Sequence, residues 1–433
     1  MAPLSREQFQ AALRSGHGRA LLHIRQFGAD GLKQDILDAC LTSYVYDAQC
    51  EGTRGEWLYE VSQAAGILDA VIPRAIERML ELSTLDDFWT VAQLYSLAAS
   101  ATKDGTYDAR HAIYEKFDRQ EFNESWLGGI QLIIVDGLAG FLHAAEVIGK
   151  RLIDQPDYCE DGYLISVAYD RLGKEQVADA LATATRDNPA IRRYSEELAQ
   201  IERRESDWKN QRGKRQEKTV AEILHEIESL EGKYPHRLGV WGKHASDNDL
   251  RIVFQQLITE TRPEQLCWYL NVFRWRGLPE LPARILKLAD SGDDRLRDVL
   301  CRVLGNKKDA AVRAVGLQLL NHTPPRFEGI RIFEKNYQSG DPLLFEKILP
   351  ADGDRDTLHE IGFAILQVTR GVKDPDLANC LLWLNENGPC SMCRGSAVRH
   401  MLEMKVAVPS SLIEECRCDC SNETRELVGQ ETG

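Results

Sequence analysis

The stretch DRLRDVLCRVL, residues 294–304, contains the pattern that decides the fold. Leu296, Val299, Leu300 and Val303 recur at the three- and four-residue spacing of one face of an α-helix. Charged residues fill the positions between them. Because a helix with so wide an apolar face must pack against a partner, the stretch predicts a half-buried helix within a larger helical assembly.

The same helical period recurs along the whole chain, for example at 71–80, 130–142 and 250–258. Helix starts are marked by Ser5, Thr219 and Thr357, each followed three residues later by Gln or Glu as in a capping box. Other capping boxes are predicted at Thr261 and Ser411. Since no run alternates with a period of two for long enough to predict a strand, the sequence predicts an all-α fold of short helices joined into antiparallel pairs.

Three later stretches resemble the start of the quoted one. They are DAAVRAV (309–315), SAVRHML (396–402) and NETRELV (422–428). A polar start, an apolar–Arg pair and a further apolar residue resemble the second helix of HEAT repeats. The resemblance implies an α-solenoid of stacked antiparallel helix pairs, in which Arg297, Arg313, Arg399 and Arg425 tie neighbouring repeats together. An irregular helical bundle is the alternative.

Composition and pattern divide the chain into three parts. Residues 1–204 are predicted to form a helical domain without a clear repeat, 205–235 a charged linker or exposed helix, and 236–433 the HEAT-like domain. No apolar segment of the signal-peptide type follows Met1, and the apolar stretch 126–148 contains Asp136 near its middle. We therefore expect a cytoplasmic protein that does not cross a membrane.

The cysteines suggest one candidate metal site. Cys390-x-x-Cys393 has the spacing at which two thiolates reach one zinc ion, and Cys416 and Cys420 could complete the set. The spacing of the second pair is unusual for zinc, and the first pair could instead lie in a simple turn between helices. Apart from this zinc ion, no cofactor is predicted.

Two groups of basic and aromatic residues are candidates for binding. They are Arg203, Arg204, Trp208, Arg212 and Arg215 in the charged segment, and Trp275 with Arg276 near the end of a predicted helix. Arginine and tryptophan dominate binding hot spots, and an aromatic ring among basic residues can stack on a base. Interleaved glutamates fit a solvated helix equally well.

No H-E-x-x-H, G-x-S-x-G or P-loop motif is present, so a catalytic site is not predicted. We expect a non-enzymatic scaffold that binds a protein, and the net charge of -14 favours a partner with basic patches. The resemblance also allows a place in a bacterial multi-protein system, such as defence against phage. The alternative is a HEAT-like nucleic-acid-binding or DNA-processing protein, which would need a segregated basic face.

Overall fold

A computed structural model describes residues 2–105, 108–119, 124–155, 157–212, 218–229 and 236–429, without the side chains of 209–212. Every regular element in these ranges is helical, so the all-α prediction is confirmed. The capping boxes at Ser5 and Thr219 are confirmed as well. The one at Thr357 is wrong, because the side chain of Asp354 caps that helix instead and Thr357 lies in its first turn.

Among the described residues, twelve helices form the first half of the chain. They are α1 (Arg6–Ser15), α2 (Arg19–Phe27), α3 (Lys33–Leu41), α4 (Ala48–Glu51), α5 (Gly55–Ala64), α6 (Leu68–Glu81), α7 (Phe88–Lys103), α8 (Arg110–Arg119), α9 (Trp126–Asp154), α10 (Tyr163–Leu172), α11 (Lys174–Ala184) and α12 (Pro189–Arg212).

Fourteen helices follow in the part of the second half that the structure describes. They are α13 (Val220–Ser229), α14 (His236–His244), α15 (Asp247–Leu257), α16 (Pro263–Val272), α17 (Ala283–Leu286), α18 (Asp294–Leu304), α19 (Ala310–Leu320), α20 (Phe333–Asn336), α21 (Asp341–Ile348), α22 (Arg355–Gly371), α23 (Ala378–Asn387), α24 (Ser391–Glu403), α25 (Ser410–Arg417) and α26 (Asn422–Gly429). Short 3₁₀ segments lie at Lys287–Asp290, Phe327–Ile332 and Pro375–Leu377.

The helices divide into two compact units. Unit 1 comprises Met1–Arg215 together with Ser410–Gly433, and unit 2 comprises Gln216–Pro409. This differs from the predicted division at 204 and 235, since the last 24 residues of the predicted HEAT-like domain belong with the N-terminal helices. A local sequence pattern does not reveal such a return of the chain.

The C-terminal segment is held in unit 1 by polar contacts. Trp57 Nε1 on α5 donates to the carbonyl of Cys418 at 2.9 Å, and Arg425 Nη2 donates to Glu60 Oε2 at 2.8 Å. Arg425 is one of the arginines that the HEAT resemblance implies as ties between neighbouring repeats. Its guanidinium joins α26 to α5.

The core of unit 1 surrounds α7 and α9. Helix α9 is interrupted at Gly128 and Gly137, where φ is 80° and 55°, and it packs against α7, α8, α10 and α12. A Cβ on Gly149 would lie 1.9 Å from the carbonyl oxygen of Ala190, so only glycine permits the approach of α12. Within the described ranges, α9 alone is long and apolar enough to cross a membrane, and 44% of its most apolar window is buried inside the protein.

In unit 2, contacts join helices that are near neighbours along the chain. Helix α16 packs against α18 and α22 against α24, while α17 packs against α19 and α21 against α23. One hydrogen-bond arrangement is repeated. Asn306 Nδ2 donates at 2.8 Å to the carbonyl of Arg274, 32 residues earlier, and Asn336 Nδ2 donates at 2.9 Å to that of Lys307, 29 residues earlier.

Two of the arginines singled out in the sequence also connect neighbouring segments. Arg297 on α18 donates through Nε to Glu328 Oε1 at 2.6 Å. Arg313 on α19 makes a bidentate pair with the Asp341 carboxylate, with N–O distances of 2.8 and 2.6 Å. Such paired geometry gives orientation as well as attraction, so each arginine fixes its helix against the next segment of the chain.

Candidate metal centre and binding cleft

A histidine and two cysteines converge in unit 2. His359 lies near the start of α22, Cys390 directly precedes α24, and Cys393 lies in the first turn of α24. Their ligand atoms all lie within 4.8 Å of one another, and Cys393 Sγ is 3.6 Å from His359 Nε2. Both cysteines are buried and His359 is half-buried. Three metal-ligating side chains thus meet at one point.

Tight packing of α22, α23 and α24 places these side chains. A Cβ on Gly388 would lie 2.6 Å from the carbonyl oxygen of Leu384, so the turn that leads into Cys390 requires glycine. The completely buried guanidinium of Arg394 donates to the Gly388 carbonyl at 3.2 Å and fixes the same turn. A Cβ on Gly362 would meet Leu384 at 2.3 Å, so glycine also allows α22 to approach α23 closely.

The two cysteines lie at the start of a helix. Cys390 is the residue that caps the start of α24, where the unpaired N–H groups of a helix carry partial positive charge. A negatively charged ligand is favoured at such a helix end, and the thiolate is the form of cysteine that binds metal ions.

The second pair of ligands predicted from the sequence, Cys416 and Cys420, lies in a different part of the fold. Cys416 is buried in α25, and Cys420 follows that helix with its N–H donating to the carbonyl of Gly16 at 3.1 Å. Both belong to unit 1, and neither is part of the group formed by His359 and the two cysteines of unit 2. Histidine, not cysteine, supplies the third candidate ligand.

A cleft of about 470 Å³ also opens in unit 2, between α18, the segment after α19 and the start of α22. Its walls are formed by Gly292, Asp294, Arg297, Asp298, His322, Pro324, Pro325, Arg326, Phe327, Glu328, Arg331, Thr357, Glu360 and Ile361. The volume is in the range of ligand-binding clefts, but charged side chains dominate this lining.

Most of the charged groups in the cleft contact one another. Arg297 pairs with both Glu328 and Asp294. Arg331 is buried, and its Nε lies 3.2 Å from Asp298 Oδ1. Burial lowers the pKa of Arg331, yet a guanidinium stays protonated at any physiological pH. The cleft therefore presents fixed charges of both signs.

Among the described side chains of α12, basic groups pair with a glutamate of the same helix. Arg204 Nη2 lies 2.6 Å from Glu197 Oε1, and the other oxygen of that carboxylate binds Arg193 at 3.0 Å. Arg203 is exposed, and 51% of Trp208 is exposed on the same helix. Glutamate within the helix thus compensates part of the charge on which the nucleic-acid prediction depends.

The remaining predicted binding residues are differently placed. Arg212 ends α12 with a side chain outside the described residues, and Arg215 lies outside them entirely. Trp275 follows α16 and is 54% exposed. Arg276 pairs with Asp247 and is held within unit 2. Among these residues, Trp275 offers the clearest exposed contact surface.

Unit 1 contains a buried acid that the sequence did not suggest. Glu160 Oε1 accepts hydrogen bonds from Ser125 Oγ at 2.9 Å and from the N–H of Gly162 at 3.3 Å, and Oε2 accepts from Tyr158 at 3.4 Å. Burial raises the pKa of Glu160 to about 7. Carboxyl groups with a raised pKa occur both in active sites and in structural hydrogen-bond networks. Glu160 is enclosed by its own hydrogen-bond partners.

Comparisons with protein-family models, with curated proteins and with solved structures returned no match to this chain. The function is therefore argued from the residues and their geometry.

Proposed function

We propose that the protein is a non-enzymatic scaffold, and that the cleft of unit 2 binds a basic segment of a protein partner. The observation that carries this proposal is the charged cleft itself. Three guanidinium groups and four carboxylates line it, so its formal charge is negative. A net charge of -14 for the whole chain adds long-range attraction for a basic partner.

The proposal includes a HEAT-like arrangement of unit 2. In a solenoid each repeat contacts only its neighbours. The packing of α16 on α18 and of α22 on α24 fits that rule. The equivalent hydrogen bonds of Asn306 and Asn336, and the bridging pairs of Arg297 and Arg313, support a repeated unit of two helices.

A non-enzymatic role in the cytoplasm fits the rest of the molecule. Cys40, Cys301 and Cys380 are single buried cysteines, and burial raises the pKa of each thiol, so none resembles an activated nucleophile. Unpaired buried thiols are typical of a reducing compartment.

Selection from a peptide display library, panned on the full chain, tests the proposal. We expect the selected peptides to be rich in Lys and Arg. Glu360 is exposed on the cleft wall, so Glu360→Lys should weaken their binding by about tenfold, or about 1.4 kcal/mol. Glu386→Lys makes the same charge change at an exposed position of α23 away from the cleft and should bind normally.

The outcome that contradicts the proposal is equally specific. Selection of peptides without basic residues, or equal affinities for the two variants, would show that the cleft is not the binding site for a basic partner. Tight, salt-dependent binding of DNA or RNA fragments in a parallel assay would favour the nucleic-acid alternative, because counterion release makes such binding fall steeply with salt.

A further inference from the structure

The geometry of His359 and Cys393 matches that of two ligands on one tetrahedral ion. Zinc binds sulfur at ~2.3 Å and imidazole nitrogen at ~2.0–2.1 Å, so the two ligand atoms of a tetrahedral site are ~3.6 Å apart. Cys393 Sγ and His359 Nε2 are 3.6 Å apart. Cys390 Sγ lies within 4.8 Å of both, close enough for a small side-chain rotation to bring it into the same coordination sphere.

The donor set fits a bound zinc ion. Both cysteines lie at the N-terminal end of a 13-residue helix, which favours negatively charged ligands. Two thiolates and one neutral imidazole compensate the charge of Zn²⁺. Sulfur and imidazole ligands are the set that zinc prefers, whereas Mg²⁺ and Ca²⁺ take oxygen ligands.

We propose that His359, Cys390 and Cys393 bind one zinc ion, whose fourth position is taken by a water molecule or another exogenous donor. The cluster contains three protein ligands among the residues that the structure describes. Sites with three protein ligands and an open fourth position are the kind in which zinc remains accessible to small ligands. This proposal is independent of the protein-binding role of the cleft.

A dithiol that cycles to a disulfide is the competing chemistry of a Cys-x-x-Cys turn at the start of a helix. Formation of that disulfide removes two protons and two electrons from the cysteines and has no need of His359. Metal binding that depends on His359 therefore distinguishes a zinc site from a redox-active dithiol, so the variants include a change of this histidine.

The experiment measures zinc binding by the reduced, full-length chain in equilibrium dialysis against a zinc buffer. We expect about one zinc ion per chain, because the three ligands form one tetrahedral site. His359→Gln and Cys393→Ser should each reduce the affinity by more than the roughly 10–100-fold that the loss of an outer hydrogen-bond partner costs. Cobalt substitution should give the intense visible bands of a tetrahedral site with thiolate ligands, and added imidazole should shift them.

Two controls keep the result interpretable. Cys380→Ser alters a buried thiol on α23 outside the cluster, and Cys416→Ser with Cys420→Ser removes the pair predicted from sequence, so both proteins should retain the zinc. Circular dichroism checks that each variant is folded, and alkylation of the wild type should show zinc-dependent protection of Cys390 and Cys393. The proposal is overturned if the wild type binds no zinc, or if His359→Gln binds it unchanged.

Discussion

Glu160→Gln gives the sharpest test of the electrostatics of unit 1. Glu160 is 5% exposed, and burial raises its pKa from 4.5 to about 7. One pKa unit corresponds to ~1.36 kcal/mol, so the shift of about 2.5 units represents ~3 kcal/mol of differential stability. That is a large share of the ~5–15 kcal/mol that stabilises a typical folded domain.

The direction of the pH effect follows from which state holds the proton. Because the folded pKa is above the unfolded one, the folded protein keeps a proton between pH 4.5 and about 7 that the unfolded chain has released. Raising the pH through this window therefore favours unfolding. As the pH rises, we expect Glu160 to lower the free energy of unfolding of the wild type by ~3 kcal/mol. The decrease should be complete above about pH 7.

Glutamine at this position should remove the contribution of Glu160 to the pH dependence of stability and keep its hydrogen bonds. Its Oε1 can accept from Ser125 and Gly162, which both contact one oxygen of the present carboxyl group. Its amide nitrogen would face Tyr158, whose hydroxyl can accept as well as donate. Glu160→Gln should thus be more stable than the wild type at pH 8, and the difference should shrink as the pH falls.

Urea unfolding followed by circular dichroism, between about pH 5 and 8, measures these free energies. Hydrogen exchange of amides in α9 and α10 assigns the change to unit 1. Glu196→Gln alters an exposed glutamate of the same unit and should follow the wild-type curve. Parallel pH profiles of the wild type and Glu160→Gln would refute the reasoning.

Two further predictions concern packing and ion pairs. A Cβ on Gly18 would lie 1.8 Å from the carbonyl oxygen of Glu415, so Gly18→Ala should lower the free energy of unfolding by ~1–3 kcal/mol, measured by urea unfolding. Gly429→Ala meets no neighbour within 4 Å and should be neutral or stabilise by up to ~1 kcal/mol. Asp341→Asn leaves the largely buried Arg313 without its carboxylate and should cost ~3 kcal/mol by the same assay, whereas an unchanged midpoint would show that the pair is dispensable.

Local patterns in the sequence predicted the helices well, because a helix depends on residues three and four positions apart. The stripe through Leu296, Val299 and Leu300 is buried on α18 as expected. Caps are less certain, since Asp354 and Thr357 both have a suitable oxygen and only one can stand at the helix start. Competition between neighbouring residues of similar chemistry is not resolved by spacing alone.

Contacts between distant segments could not be predicted in the same way. Cys416 and Cys420 follow Cys393 closely along the chain, and spacing alone suggested that they could share its metal ion. The chain instead returns to the N-terminal helices after residue 409. His359, 34 residues before Cys393, carried no local signal because a histidine on an amphipathic helix is ordinarily part of its packing.

Both candidate sites use residues of the single amphipathic helix α22. Glu360 and Ile361 face the cleft, whereas His359 belongs to the thiol cluster. At ~100° per residue, His359 and Ile361 are ~160° apart around the helix axis, so the two sites use nearly opposite faces. An ion bound to His359 would restrain the same helix that forms a wall of the cleft. Binding linkage is reciprocal, so if the ion and the partner favour the same position of α22, each raises the affinity for the other by the same factor.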